Sequence, residues 1–217
     1  MWHSVLYLGT ARNLNNIFSK SNNNAYLCSQ NFYKKMGNYN EQEILAMLQD
    51  ERQRSKAFSI LVKQLSEKLY WQIRKMVMNH DDANDVLQNT FIKAWNAVGS
   101  FRGDSKLSTW FFRIAVNETL TFLNSRRMEN LSGILELEDV LVQRLEADTY
   151  FSGDEAQMRL QKAVLTLPEK QRLVFNMKYF DDMKYEEMSD VLGTSVGALK
   201  ASYHLAVQKI EKFLTED

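Results

Sequence analysis

The 217-residue sequence has one cysteine, one proline, eight glycines and no apolar run approaching membrane-spanning length. Each scarcity removes a class of protein. Cys28, standing alone, cannot form an intrachain disulfide. His3, His80 and His204 are scattered without metal-ligand spacing, so no metal and no other cofactor is expected. A membrane-spanning helix needs about 20 consecutive apolar residues, and the apolar stretch at residues 5–8 is too short for the core of a signal peptide. These absences point to a cytoplasmic protein with no direct membrane insertion. Scarce proline and glycine favour helices over turn-rich β architectures. Enzyme chemistry finds no foothold either, because there is no glycine-rich phosphate loop, nucleophile elbow or metal-ligand cluster.

Net charge is also missing, with 27 basic residues against 27 acidic ones. A protein that held duplex DNA by phosphate neutralisation alone would carry a cationic excess. Residues 1–35 contain Arg12, Lys20, Lys34 and Lys35 and no acid, so the rest of the chain carries an acidic excess of four. That balance suits a subunit whose DNA affinity is supplied mainly by a larger partner.

What is present is concentrated in residues 82–117, DANDVLQNTFIKAWNAVGSFRGDSKLSTWFFRIAVN. Val86, Leu87, Thr90, Phe91, Ala94, Trp95 and Val98 recur at three- and four-residue steps, which predicts a helix with one apolar face. Asp82, Asn84, Asp85, Gln88, Asn89 and Lys93 line the opposite face. That row is either a solvated surface whose first aspartates complement the helix dipole or a docking surface for a partner. Gly99, Gly103 and the polar run 102–108 then form a loop in which Phe101 is followed by two cations, Arg102 and Lys106. A second helix follows with Trp110, Phe111 and Phe112 in succession. Successive helical residues turn by about 100°, so at least one of these rings is expected near the surface. The same helix ends in Asn124, Ser125, Arg126 and Arg127. Rings for stacking and cations for phosphates are the composition of a platform for single-stranded nucleic acid.

Asp82-Ala83-Asn84-Asp85-Val86-Leu87-Gln88, Phe91, Ala94-Trp95, Phe101-Arg102-Gly103, Ser108-Thr109-Trp110, Ile114-Ala115 and Asn117 together closely resemble the second conserved region of sigma factors, specifically the small extracytoplasmic-function (ECF) group of the sigma-70 family. The resemblance implies that Asp82, Asp85, Gln88 and Asn89 dock on the clamp of bacterial core RNA polymerase. It implies further that the loop and second helix capture and melt the minus-10 promoter element through Phe101, Arg102, Lys106, Trp110 and Asn117, with Arg126 and Arg127 on phosphates.

Around this stretch, residues 1–39 are rich in asparagine and serine and read as a disordered leader, with Met36 the expected native start. Asn40 and Glu43 have capping-box spacing ahead of Ile44, Leu45 and Leu48. A longer helix from Arg54 to Met78 carries the stripe Phe58, Leu61, Leu65, Leu69, Ile73 and Met76, with Tyr70 and Trp71 assigned to the core. This completes a bundle over residues 40–128. Residues 129–155 hold eight acids against Arg144 alone and form an acidic linker, partly helical if the spacing of Leu137, Leu141 and Leu145 is followed. The linker is either a solvated connector or, by the resemblance, a tether threaded through the polymerase cleft.

In the last segment, 156–217, Met158, Leu160 and Val164 mark a helix, and Thr166 and Glu169 around Pro168 are spaced to cap the next, whose apolar side is Leu173, Val174, Met177 and Phe180. Tyr185–Leu192, the Gly193-Thr194 turn and a helix over 195–213 then read as a helix-turn-helix. The pattern alone leaves a DNA reader and a plain helical hairpin equally open. Residues 167–214, however, resemble the fourth conserved region of the same sigma group along their whole length. That implies that Val196, Leu199, Tyr203 and Ala206 face inward while Ser195, Gly197, Lys200, Ser202 and His204 face the major groove of the minus-35 element. One departure stands out: Ser202, Leu205 and Val207 occupy positions where members often carry arginine, leaving Lys200 the main cation early in the helix.

The expected architecture is therefore all-α, two small helical domains joined by an acidic linker. The expected function is that of an alternative sigma factor, a non-catalytic initiation subunit. Its partners would be core polymerase, promoter DNA and, by the resemblance, an anti-sigma factor, often membrane-anchored. The competing reading is a free-standing helix-turn-helix regulator with an N-terminal sensor or dimerisation bundle.

Overall fold

The computed structural model describes residues 40–130, 137–147 and 155–216, so the expected leader and the remaining parts of the linker lie outside the described residues. All regular structure among the described residues is helical. Helix α1 (Glu41–Gln49) is opened by the expected reciprocal cap: Asn40 Oδ1 accepts the Glu43 N–H at 2.8 Å, and Glu43 Oε2 accepts the Asn40 N–H at 3.0 Å. Helix α2 (Arg54–Val77) buries Leu61, Leu65, Leu69, Ile73 and Met76 of the expected stripe together with Ala57, while Phe58, the first member of that stripe, is half-buried. It stops where Met78 adopts a left-handed conformation, φ 54°. Helix α3 (His80–Ala97) starts at once, with Asn79 Oδ1 accepting the Asp82 N–H at 2.9 Å.

A 3₁₀ turn (Val98–Ser100) and the loop lead into α4 (Leu107–Asn130). Phe111 and Phe112, at 0% and 2% exposure, are both fully buried although they are adjacent. The reason is that α4 packs against α2, α3 and α8 together, so more than one of its sides is covered. Only Trp110 of the three stays half-exposed.

Within the linker, α5 (Leu137–Glu146) is helical and sinks Leu141 and Leu145 into the core. The C-terminal unit consists of α6 (Glu155–Leu165), α7 (Glu169–Tyr179), α8 (Tyr185–Leu192) and α9 (Val196–Glu216). The expected Thr166 cap is absent. Thr166 belongs to the end of α6, its hydroxyl donating back to the Ala163 carbonyl at 2.7 Å, and Pro168 takes the cap position of α7.

Helix α7 joins the two units. Its residues 172–177 are buried without interruption, which is the mark of a helix enclosed on two sides. Phe175 packs into a small core with Leu160, Val164, Ala206 and Ile210, while Leu173, Val174 and Met177 belong to the large core that begins at Ile44. Across this contact Lys75 Nζ lies 2.7 Å from Asp181 Oδ1 and 5.1 Å from the Phe180 ring centre. Asn176 Nδ2 donates to Met76 Sδ at 3.4 Å. The seam is imperfectly satisfied: both amide atoms of Gln72, Asn176 Oδ1 and Asp181 Oδ2 are buried with no hydrogen-bond partner among the described residues. Each such group costs about 1–3 kcal/mol, so this contact is held less firmly than an apolar one of equal area.

Candidate nucleic-acid and partner interfaces

On α3, Asp85, Gln88 and Asn89 are exposed, as expected. Asp82 is not. It is 8% exposed, its Oδ2 accepting from Arg144 Nη1 at 2.6 Å and its Oδ1 from Arg126 Nη2 at 3.3 Å. Arg144 of α5 also reaches the Val77 carbonyl at 3.4 Å, so the linker helix is pinned to the junction of α2 and α3. A carboxylate in the first turn of a helix, held by two guanidiniums, gains from both the helix dipole and charge-assisted bonds. Its role in this structure is to fasten the linker and the end of α4 to α3, and it drops out of the outward row. Because the guanidiniums are 31% and 42% exposed, the loss is discounted for screening: Asp82→Asn is expected to cost about 1–3 kcal/mol. Urea denaturation checks this, with Asp85→Asn, on the exposed row, staying within about 0.5 kcal/mol.

The outward face of α3 carries two further side chains. Ile92 is 52% exposed and lies one turn beyond Gln88 and Asn89, and Trp95 is 43% exposed although one edge packs on Phe58 at 5.0 Å. Sequence reasoning missed Ile92; the available signal was an isoleucine outside the apolar set of its helix. Trp95 and Trp71, both assigned to the core, show instead a packed edge and an open one, as large rings often do. Trp71 is 50% exposed beside Tyr70, whose hydroxyl meets His80 Nδ1 at 2.7 Å.

The loop and α4 present the second surface. Phe101 and Trp110 are half-buried and lean together at 5.3 Å, with Trp110 set edge-on to Phe111 at 5.2 Å. Arg102, Lys106 and Asn117 are exposed. With Asn117, the exposed residues Arg113, Thr121 and Asn124 form one polar stripe along α4, which adds Arg113 to the cations inferred from the sequence. Arg126 is turned toward Asp82 and covers the Phe122 ring at 5.2 Å, while Arg127 is exposed.

The C-terminal unit meets this surface with oxygen atoms. Glu187 lies 3.7 Å from Lys106 Nζ, Arg113 Nη2 donates to the Asp190 carbonyl, and Glu169 lies 3.3 Å from Arg127 Nη2. Cations suited to phosphate are thus met by carboxylates and a carbonyl of α7 and α8.

The helix-turn-helix is formed by α8, Gly193-Thr194-Ser195 and α9. Gly193 has φ 63°, a conformation that L side chains rarely adopt, and its N–H reaches the Ser189 carbonyl at 2.9 Å. On α9, Leu199 and Ala206 are buried and Val196 and Tyr203 half-buried, which is the expected inward set. Ser195, Gly197, Lys200 and His204 are exposed, Ser195 Oγ also accepting the Ala198 N–H at 3.3 Å. Lys200 Nζ stands 5.7 Å from the Tyr185 ring centre. Ser202 is half-buried rather than outward, because three- and four-residue steps place it with Leu199 and Ala206. The outward positions are completed by Ala198, Ala201, Leu205 and Gln208.

The model of sigma-70 region 2 matches residues 61–128, and the model of sigma-70 region 4 matches residues 157–210, in that order and over more than half of the chain. The chain belongs to the sigma-70 family. Its relatives place this sigma factor in the ECF group. The RNA polymerase sigma-H factor of Pseudomonas aeruginosa is 29% identical over 172 residues, covering 76% of this chain and 89% of the relative. The ECF RNA polymerase sigma factor SigW of Bacillus subtilis is 26% identical over 168 residues, covering 74% and 90%. The ECF RNA polymerase sigma-E factor of Escherichia coli is 29% identical over 171 residues, covering 72% and 85%. Among solved structures, CnrH in complex with the cytosolic domain of CnrY aligns with TM-score 0.60 and 25% identity over 82% of this chain and 98% of that one. The sigma factor RpoE in complex with the anti-sigma factor NepR from Bartonella quintana shares the fold, with TM-score 0.57 and 23% identity over 75% and 99%. As an ECF sigma factor, this protein is a non-catalytic subunit that directs RNA polymerase to promoters. No helix among the described residues is long and apolar enough to cross a membrane.

Proposed function

We propose that this sigma factor works in the cytoplasm through surfaces divided between two domains. In the domain spanning 40–128, Asp85, Gln88 and Asn89 dock on the polymerase clamp, with Ile92 and Trp95 extending that face. The loop and α4 take the unpaired minus-10 strand: Phe101 and Trp110 supply rings, Arg102, Lys106 and Asn117 polar contacts, and Arg113 and Arg127 phosphate contacts. The 156–217 domain reads the minus-35 duplex with α9, and residues 129–155 tether the two. The observation that carries this reading is the polar stripe Arg113, Asn117, Thr121 and Asn124 running from a leaning aromatic pair, because stacking rings beside cations serve unpaired bases and are of no use to a duplex-only regulator.

Strand capture then requires α7 and α8 to leave α4, since their oxygens hold Lys106, Arg113 and Arg127. The closed arrangement is accordingly the resting form, and an anti-sigma factor is the partner expected to hold it. Similarity to RpoE, solved with the anti-sigma factor NepR, and to CnrH, solved with the cytosolic domain of CnrY, supports that assignment.

Run-off transcription with bacterial core polymerase on promoter fragments from the source genome tests the function. Specific transcripts appearing only when the protein is added are expected. Their absence, together with duplex binding by the protein alone and no co-elution with core enzyme, would favour a free-standing regulator. Lys200→Ala should weaken binding to all upstream duplexes alike and reduce the salt slope of log K by about 1; an unchanged slope removes Lys200 from the phosphate contacts.

A further inference from the structure

The outward face of α9 is unusually poor in groups that read bases by hydrogen bonds. Ala198, Ala201 and Leu205 follow one another at steps of three and four and are all exposed, so they form a narrow apolar stripe. Leu205, at 46%, is the most exposed large apolar side chain among the described residues of the C-terminal domain. A single exposed leucine is ordinary on a protein surface. Here it ends a stripe that begins in the first turn of the second helix of a helix-turn-helix, the part that enters the major groove. Beside the stripe stand Lys200 and His204, and no arginine occurs anywhere in α9. The bidentate contact to guanine O6 and N7 that arginine supplies is therefore missing from this helix.

The major groove offers one apolar recognition feature, the C5 methyl of thymine, which alanine and other apolar side chains contact. At about 1.5 Å rise per residue, the seven steps from Ala198 to Leu205 cover about 10 Å, close to three base-pair steps of about 3.4 Å. We infer that this sigma factor reads its upstream promoter element through thymine methyl groups held against Ala198, Ala201 and Leu205, with Leu205 the specificity-determining side chain. Lys200 then positions the helix on the backbone. The short alanines allow the helix to approach the bases closely, and Leu205 reaches the methyl farthest along the groove. This inference rests on the assignment of α9 as the minus-35 reader.

The test uses holoenzyme reconstituted from core polymerase and the full chain, on a promoter identified by run-off transcription. In the upstream element each thymine is replaced singly by deoxyuridine, which deletes the methyl and keeps every hydrogen-bonding group. Each guanine is replaced in parallel by 7-deazaguanine, which deletes the N7 acceptor. Wild-type holoenzyme is expected to lose about 3- to 5-fold in affinity at one or more deoxyuridine positions, the transfer value of one buried methyl group. Leu205→Ser should abolish the loss at one of them, and Leu205→Met should retain it. Both variants alter an exposed side chain and keep the fold. Uniform indifference to deoxyuridine alongside sensitivity to 7-deazaguanine overturns the inference while leaving the sigma assignment intact. An equal loss for Leu205→Ser on thymine and deoxyuridine templates also overturns it, because the leucine would then be touching protein. Failure to obtain any specific transcript takes down the inference and the promoter-reading assignment together.

Discussion

Lys75→Glu is expected to open the molecule. Lys75 Nζ lies 2.7 Å from Asp181 Oδ1, and the aspartate side chain is only 8% exposed. Reversing the charge faces one carboxylate with another in a nearly dry contact, and like-charge juxtaposition at an interface costs several kcal/mol. The surroundings amplify the effect. The Gln72 amide, Asn176 Oδ1 and Asp181 Oδ2 have no hydrogen-bond partner among the described residues and recover water once the seam parts. A change of about 1.4 kcal/mol in the balance between closed and open forms is already tenfold in population, so the variant should be predominantly open. Small-angle scattering should report a larger radius of gyration. With Lys106, Arg113 and Arg127 released from Glu187, the Asp190 carbonyl and Glu169, open-complex formation in run-off assays should quicken. Lys75→Glu combined with Asp181→Lys restores the pair and should restore the wild-type dimensions. An unchanged radius of gyration in Lys75→Glu, with normal stability, would show that the seam contributes nothing to closure.

Phe111→Ala is expected to be the most destabilising single substitution in the N-terminal bundle. The ring is fully buried and lies 5.9 Å from Phe58, 5.9 Å from Phe91 and 5.2 Å from Trp110, centre to centre. Truncating a phenylalanine in such a site costs about 3–5 kcal/mol, a large part of the roughly 5–15 kcal/mol that stabilises a typical domain. The functional consequence follows from position, since Trp110 rests edge-on against Phe111 and in turn supports Phe101. Urea denaturation should show the midpoint falling steeply. Below that midpoint, minus-10 capture should be impaired more than binding to core polymerase, because Asp85, Gln88 and Asn89 belong to α3 and keep their helix. A loss under about 1 kcal/mol would mean that α2 and α3 close over the cavity, and the ring's role would be smaller than its burial indicates.

Much of this protein is local and so could be read along the chain. The Asn40–Glu43 cap, the four-residue stripe of α2, the turn at Gly193 and the inward set of α9 each depend on residues within one or two turns of one another. Helical periodicity reports such relations because side chains at three and four residues share a face. The motif residues Asp85, Gln88, Asn89, Arg102, Lys106, Asn117, Lys200 and His204 also lie at the surface, as their polarity and spacing indicate. Periodicity describes one side of a helix, however, and what covers the other side is set by segments far away in sequence. Phe112 is buried because α4 is packed on more than one side, and residues 172–177 are buried because α7 stands between two cores. Asp82, read as the first member of an outward row, is buried because Arg144, 62 residues on, and Arg126, 44 residues on, converge on it. The closed seam between Lys75 and Asp181 spans 106 residues, and a pairing at that distance leaves no local trace. Composition and spacing were therefore enough to establish the helices and their order, and the resemblance of two segments pointed to the family. The burial of Asp82, the masking of Lys106, Arg113 and Arg127 and the apolar stripe of α9 required the packing, because each depends on which surfaces meet and which stay open.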